Sequence, residues 1–155
     1  MLEPLANPFI AVSKKYLSAL SKMVAQLSID RYHYVLILLD SHDENLTQKA
    51  LAEILNIDKS YMATILDYLE EKGFVIREKN PTDRREQLIK LTKLAQVSIP
   101  IIKEAIMKLN ERAFHNICQS NKQLFNEVLN TIQENLLDPS PKLQGKTHSL
   151  LKNYN

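Results

Sequence analysis

Two groups of side chains in this sequence could do chemistry, and both suit a polyanion. Between Lys72 and Lys93 seven bases stand against three acids, with Arg77 inside the run and Arg84 and Arg85 beside the turn-forming stretch Asn80-Pro81-Thr82-Asp83. Upstream, Ser60, Tyr61, Thr64 and Tyr68 recur at spacings that place them on one outward stripe of a helix, with Lys59 in its first turn. Lysine and arginine supply affinity for phosphates, while hydroxyls and rings can meet phosphates, base edges or thymine methyls. A guanidinium at a hairpin tip can enter a narrow A·T-rich minor groove. Arg85 is the arginine expected there, with Asp83 pairing to an arginine and fixing its direction. The plainer alternative, a solvated polar face, is disfavoured by the basic hairpin next to it.

Other chemistry is not spelled out. His33, His42, His115 and His148 are scattered, with no Cys-x-x-Cys or His-x-x-x-His spacing, so no metal site is expected. No Gly-rich phosphate loop or nucleophile signature occurs, and Glu70-Glu71 are adjacent on a helix and cannot converge on one substrate. Neither catalysis nor a cofactor is expected. Cys118 is the single cysteine; it cannot form an internal disulfide and is expected to be a buried or inert thiol rather than a redox sensor.

The elements that must position these groups follow from periodicity. Phe9, Val12, Tyr16, Leu20, Met23 and Leu27 mark one face of a first helix, and Tyr32 to Leu39 reads as a buried helix with Asp30 as N-cap. Thr47 caps a short helix bearing Leu51, Ile54 and Leu55; after Asn56-Ile57 the chain restarts at Asp58 as a helix with Met62, Ile65, Leu66 and Leu69 inward, ended by Gly73. Two short helices joined by a tight turn make a helix-turn-helix. The period then changes: Phe74 to Arg77 and Leu88 to Leu91 read as the strands of a β-hairpin, the wing. Thr92 caps a long helix from Lys93 to about Ile117, with Ile102, Ala105, Ile106, Leu109 and Ala113 inward and Pro100 expected to bend it. Ser120 opens a last helix with Phe125, Val128, Leu129, Ile132 and Leu136 on one face. Beyond Asp138-Pro139 a basic tail is expected.

The 155 residues, 45% hydrophobic and 25% charged, fit one compact domain. The net charge of +2 hides a segregation, because from Asp40 to Asp58 five acids face one base, Lys49. Apolar runs such as Tyr34 to Leu39 fall far short of the roughly 20 residues a spanning helix needs. A charged-then-apolar leader does not open the sequence. The expectation is a soluble, cytoplasmic protein without a membrane partner.

This order of elements, together with Leu69-Glu70-Glu71-Lys72-Gly73-Phe74-Val75-Ile76-Arg77, Pro81-Thr82-Asp83-Arg84-Arg85 and Leu91-Thr92, resembles the MarR (multiple antibiotic resistance regulator) family of winged-helix transcription factors. The resemblance covers nearly the whole chain. It implies a mainly α fold with a small β-hairpin wing, in which residues 30–92 form the winged helix-turn-helix, 1–29 and 93–138 supply dimerisation helices, and 139–155 is the tail. It also implies a homodimer that binds double-stranded DNA through the second helix of the helix-turn-helix and regulates transcription, with repression favoured. A protein-interaction module without specific DNA binding is the alternative. Ala95, Thr64 and Tyr61 depart from residues common in the family, which bears on the operator sequence rather than on binding. Relatives release DNA when an aromatic or phenolic effector enters a crevice beside the winged domain. Tyr16, Arg31, His33 and Tyr34 could line such a crevice here, although core or interface packing explains these aromatics equally well.

Overall fold

The computed structural model describes residues 4–42 and 46–137. The 139–155 tail, Asp43 and Glu44 lie outside them. The chain divides into two compact units, Met1–Ala113 and Phe114–Asn155.

In the first unit the order is α1 (Ala6–Met23), α2 (His33–Asp40), α3 (Gln48–Ile54), α4 (Lys59–Glu71), β1 (Val75–Lys79), β2 (Gln87–Leu91) and α5 (Lys93–Ala113). The fold is mostly helical with one two-stranded antiparallel hairpin, a winged helix-turn-helix. Side-chain caps set the helix starts as the sequence predicts: Thr47 Oγ1 accepts from the Ala50 N–H at 3.0 Å and Asp58 Oδ1 from the Tyr61 N–H at 2.8 Å. Thr92 Oγ1 likewise accepts from the Ala95 N–H at 3.2 Å while donating to the Gly73 carbonyl at 2.7 Å, so one hydroxyl joins the end of α4 to the start of α5. Gly73 ends α4 with φ +77°, and the following Phe74 N–H returns to the Leu69 carbonyl at 2.9 Å. Asn56, at φ 50°, makes the tight turn between α3 and α4.

The core is drawn from every element of this unit. Met62, Ile65, Leu66 and Leu69 of α4 are fully buried against Leu36, Leu51, Phe74, Ile89 and Ile102. The hairpin pairs Val75 with Leu91 and Lys79 with Gln87, and its inner strand is knit to the chain ahead of α3 by the Thr47–Leu88 bridge and an Ile89 N–H to Leu46 carbonyl bond of 2.8 Å.

Several expectations need correction. Asp30 does not cap α2; the residue ahead of the helix is Tyr32, in the left-handed region at φ 64° with no side-chain cap, because the Asp30 carboxylate is turned toward Tyr68 instead. Helix α5 ends at Ala113, not near Ile117: the chain turns through Phe114 to Asn116, the last with φ 62°, and Ala113 itself is exposed. The buried face of α5 starts earlier than periodicity suggests, at Ala95, Ser98 and Ile99, and the helix runs on through Pro100. Along α1 only Leu20 is buried, whereas Val12 and Leu17 stand in the open.

The second unit contains α6 (Gln119–Leu136), opened at Cys118, two positions before Ser120. Phe114 and Phe125 meet edge to face at 6.1 Å, but none of the α6 residues is buried. Cys118 is exposed, not buried, and hydrogen bonding from the Ser120 hydroxyl, then from the Asn121 N–H, holds its thiol below the usual range. No helix among the described residues is long and apolar enough to cross a membrane.

Candidate nucleic-acid interface

Because the Asp58 cap fixes where α4 begins, it also fixes which side chains leave its first turn outward. Lys59, Ser60, Tyr61 and Thr64 are exposed. In the free protein the hydroxyls have local partners: Ser60 Oγ donates to Asp58 Oδ1 at 2.5 Å and Thr64 Oγ1 to the Ser60 carbonyl at 3.2 Å. These bonds hold the Asp58 carboxyl below its ordinary range, the Ser60 hydroxyl contributing most and the Tyr61 N–H next.

The wing tip is organised by short-range bonds of its own. Asn80 Oδ1 accepts from the Thr82 N–H at 3.0 Å and from the Thr82 hydroxyl at 2.7 Å. Asp83 Oδ1 accepts from the Arg85 N–H at 3.0 Å and from Arg85 Nε at 3.2 Å. The Arg85 N–H, and then its guanidinium, hold the Asp83 carboxyl ionised below the usual carboxylate range. Arg85 thus projects with a 91% exposed side chain while its direction is set by Asp83.

Between the wing tip and the starts of α3 and α4 lies a cleft of about 700 Å³. Lys49, Lys59, Lys79, Arg84 and Arg85 line it, opposed only by Asp83 and Glu86. Lys49 and Lys79, with Gln48, are members of this surface that the sequence did not single out. Lys49 sits in an acidic stretch, and only the fold turns that stretch toward the wing. Two of its acids are occupied elsewhere, Asp40 by Lys103 at 2.6 Å and Asp58 as a cap, while Glu53 lies 3.9 Å from Lys49 itself in an exposed pair.

Two residues expected on the open surface are drawn away from it. Tyr68 donates its hydroxyl to the Asp30 carboxylate and accepts from the Asp30 N–H at 3.3 Å, with the Arg31 guanidinium 4.5 Å from its ring centroid. The Tyr68 hydroxyl, followed by the Arg31 and Lys72 charges, keeps Asp30 ionised, and burial followed by this bond raises Tyr68. Arg77, with a side chain only 14% exposed, is held by Asp67 at 2.6 Å and Glu70 at 2.5 Å and so is not presented with Arg84 and Arg85.

The residues suggested for an effector crevice also divide. Arg31, His33 and Tyr34 line a cavity of about 280 Å³ together with Tyr61 of α4. His33 is buried with Nε2 unpartnered, and desolvation depresses its pKa. Tyr16 is not part of this cavity; its hydroxyl donates to Asn110 Oδ1 at 2.6 Å and ties α1 to α5.

The MarR family model matches residues 27–87. A Thauera aromatica protein named for transcriptional regulation of the hcr operon is 30% identical over 78 residues, 50% of this chain and 47% of its own length. The Bacillus subtilis (strain 168) HTH-type transcriptional regulator YdcH is 29% identical over 97 residues, 60% of this chain and 66% of its own length. The matched chain thus spans about half of the first relative and just under two thirds of the second. Among solved structures, the regulator SlyA superposes with a TM-score of 0.76 at 19% identity, covering 86% of this chain and 94% of its own. The repressor CouR, bound to a 23-mer DNA duplex, does so with 0.73 at 23% identity, covering 84% and 92%. PcaV of Streptomyces coelicolor, in complex with its natural ligand, does so with 0.73 at 17% identity, covering 86% and 97%. These three share the fold over more than four fifths of the chain, and the match to the MarR family model falls on the helix-turn-helix and wing that carry the cleft; over residues 27–87 the chain is similar to the MarR family.

Proposed function

We propose that this chain is a homodimeric regulator that binds double-stranded DNA at a pseudo-palindromic operator and represses transcription in a microbial cytoplasm. The observation that carries the reading is the basic cleft: five cations from the wing and the starts of α3 and α4 surround a space beside the open hydroxyl stripe of α4. Phosphates bind such a cleft, while Ser60, Tyr61 and Thr64 stand where base edges would lie if α4 entered the major groove. Arg85, oriented by Asp83, is the minor-groove candidate. CouR, a repressor solved on duplex DNA with the same fold, supports the assignment.

The dimer is supported by uncovered apolar surface, namely Val12 and Leu17 on α1 and Phe125 and Val128 on α6. A two-fold dimer would present two α4 helices about one DNA turn apart, which is why the operator should be a pseudo-palindrome. The cavity lined by Arg31, His33, Tyr34 and Tyr61 is the place for a small aromatic effector, and PcaV with its natural ligand supports that reading.

The test is selection of bound sequences from a random duplex pool, followed by affinity measured across a salt series. Enrichment of a pseudo-palindrome with steeply salt-dependent affinity upholds the proposal. No enriched sequence and no salt-sensitive binding to bulk DNA would replace it with the protein-interaction module.

A further inference from the structure

Arg77 reaches from β1 onto one flank of α4. Its Nη2 donates to Asp67 Oδ1 at 2.6 Å and to the Ala63 carbonyl at 3.2 Å, and its Nη1 donates to Glu70 Oε2 at 2.5 Å. The Arg77 backbone N–H adds a bond to Glu70 Oε1 at 3.2 Å. Residues 63, 67 and 70 follow one another along one helical flank, so a single guanidinium clasps about two turns of α4. The arrangement is held even though Nε is left buried without a partner. A planar fork of donors can span three acceptors in this way; a lysine ammonium cannot.

We infer that Arg77 is a positioning residue that sets the angle between wing and recognition helix and so determines how sharply operator is distinguished from bulk DNA. The inference rests on the DNA-binding reading above. The basic tip and the hydroxyl stripe must reach DNA together, and a change in their relative angle lets one engage only at the expense of the other. Phosphate attraction to bulk DNA tolerates such a change, but base contacts do not. Charge points the same way. Asp67 follows Ser60 and Thr64 along the outward stripe, and its carboxylate, 69% exposed, faces the same side as the proposed base contacts and is neutralised there by Arg77.

A sign reversal tests this. Asp67→Asn deletes a negative charge from a surface said to face DNA, so charge counting alone predicts tighter operator binding, whereas loss of the clasp predicts the opposite. Full-length wild type, Asp67→Asn, Arg77→Met and Arg77→Lys are titrated against the selected operator and bulk duplex across a salt series. Amide hydrogen exchange is followed on the DNA-free proteins. The expected result is a fall of about tenfold in the operator-to-bulk ratio for Asp67→Asn and Arg77→Met, with Arg77→Lys intermediate. Bulk binding by Asp67→Asn should hold or tighten, and exchange should quicken in β1 and β2 but not in α1.

Tighter operator binding by Asp67→Asn with the ratio intact would overturn the inference. So would an Arg77→Met salt slope lower by about 0.9 on both DNAs, the signature of a lost phosphate contact. If wild type binds no DNA, the functional reading fails by itself. Exchange then decides the clasp: faster wing exchange in Arg77→Met upholds positioning, and unchanged exchange sinks it.

Discussion

Helices α4 and α6 both carry an apolar residue every three or four positions, yet α4 buries Met62, Ile65, Leu66 and Leu69 completely while α6 buries none of Phe125, Val128, Leu129 or Ile132. Periodicity marks a face that needs covering and is silent about what covers it. For α4 the cover is the same chain, because short connections fold α2, α3 and the hairpin back onto it. For α6 the proposal assigns the cover to a second copy.

The comparison can be sharpened by substitution. The largest effect belongs to Leu66→Ala, which should cost about 3 kcal/mol by denaturant unfolding, since a fully buried leucine leaves both lost transfer energy and a cavity; a cost below about 1 kcal/mol would mean the α4 face is not the core it looks to be. Next comes Arg84→Ala with Arg85→Ala. Duplex affinity should fall roughly 100-fold at moderate salt, and the slope of log affinity against log salt should drop by about 2 as two cations are removed from the duplex surface. On α6, Val128→Asp should leave the unfolding of residues 1–113 unchanged and weaken dimerisation about tenfold or more by sedimentation, as expected for a charge placed in an apolar interface. If self-association did not move, α6 would be covered by something other than a second copy.

The next effect is a pH dependence. His33 is buried neutral with its folded pKa depressed, so below its unfolded value the unfolded chain binds a proton that the folded chain does not. Stability should therefore be complete above about pH 6.5 and decline as pH falls, by no more than about 1.4 kcal/mol per pH unit from this group. His33→Gln should remove that part of the slope, and an unchanged slope in the variant would assign it to other groups. The smallest effect is that of Tyr68→Phe. It removes both hydroxyl bonds to Asp30, which are partly solvated, and should cost about 1 kcal/mol in stability. If Tyr68 were a base contact, the same substitution would change operator preference instead.

Legibility followed sequence distance. The caps Thr47, Asp58 and Thr92 act within three residues of themselves, and the α4 stripe repeats within its own length, so residue type and spacing suffice to place them. Asp83 is expected from the sequence to pair with an arginine beside it, and the one it meets is Arg85, two positions on. What could not be read are side chains captured from afar. Arg77 looks like any wing cation until the hairpin folds it onto residues 63, 67 and 70. The Tyr68 hydroxyl goes to a residue 38 positions back, and Tyr16 bonds Asn110 from 94 positions away. The left-handed Tyr32 was equally hidden, because nothing about a tyrosine announces positive φ; three neighbouring groups, Arg31, Tyr34 and Tyr68, pack on its ring or beside it.

The bridge from Thr47 to Leu88, with the Ile89 to Leu46 bond beside it, makes the hairpin a cantilever with a clamped root. Only the span from Asn80 to Glu86 lies beyond the paired strands. Fixing a backbone residue costs about 1–2 kcal/mol in conformational entropy, so a wing free along its whole length would surrender much of its grip on a groove merely by becoming ordered. Here the seven residues of the overhang are already partly fixed by Asn80 and Asp83. In the proposed complex Arg85 would therefore search a groove over a short arc while the root keeps its station beside α4.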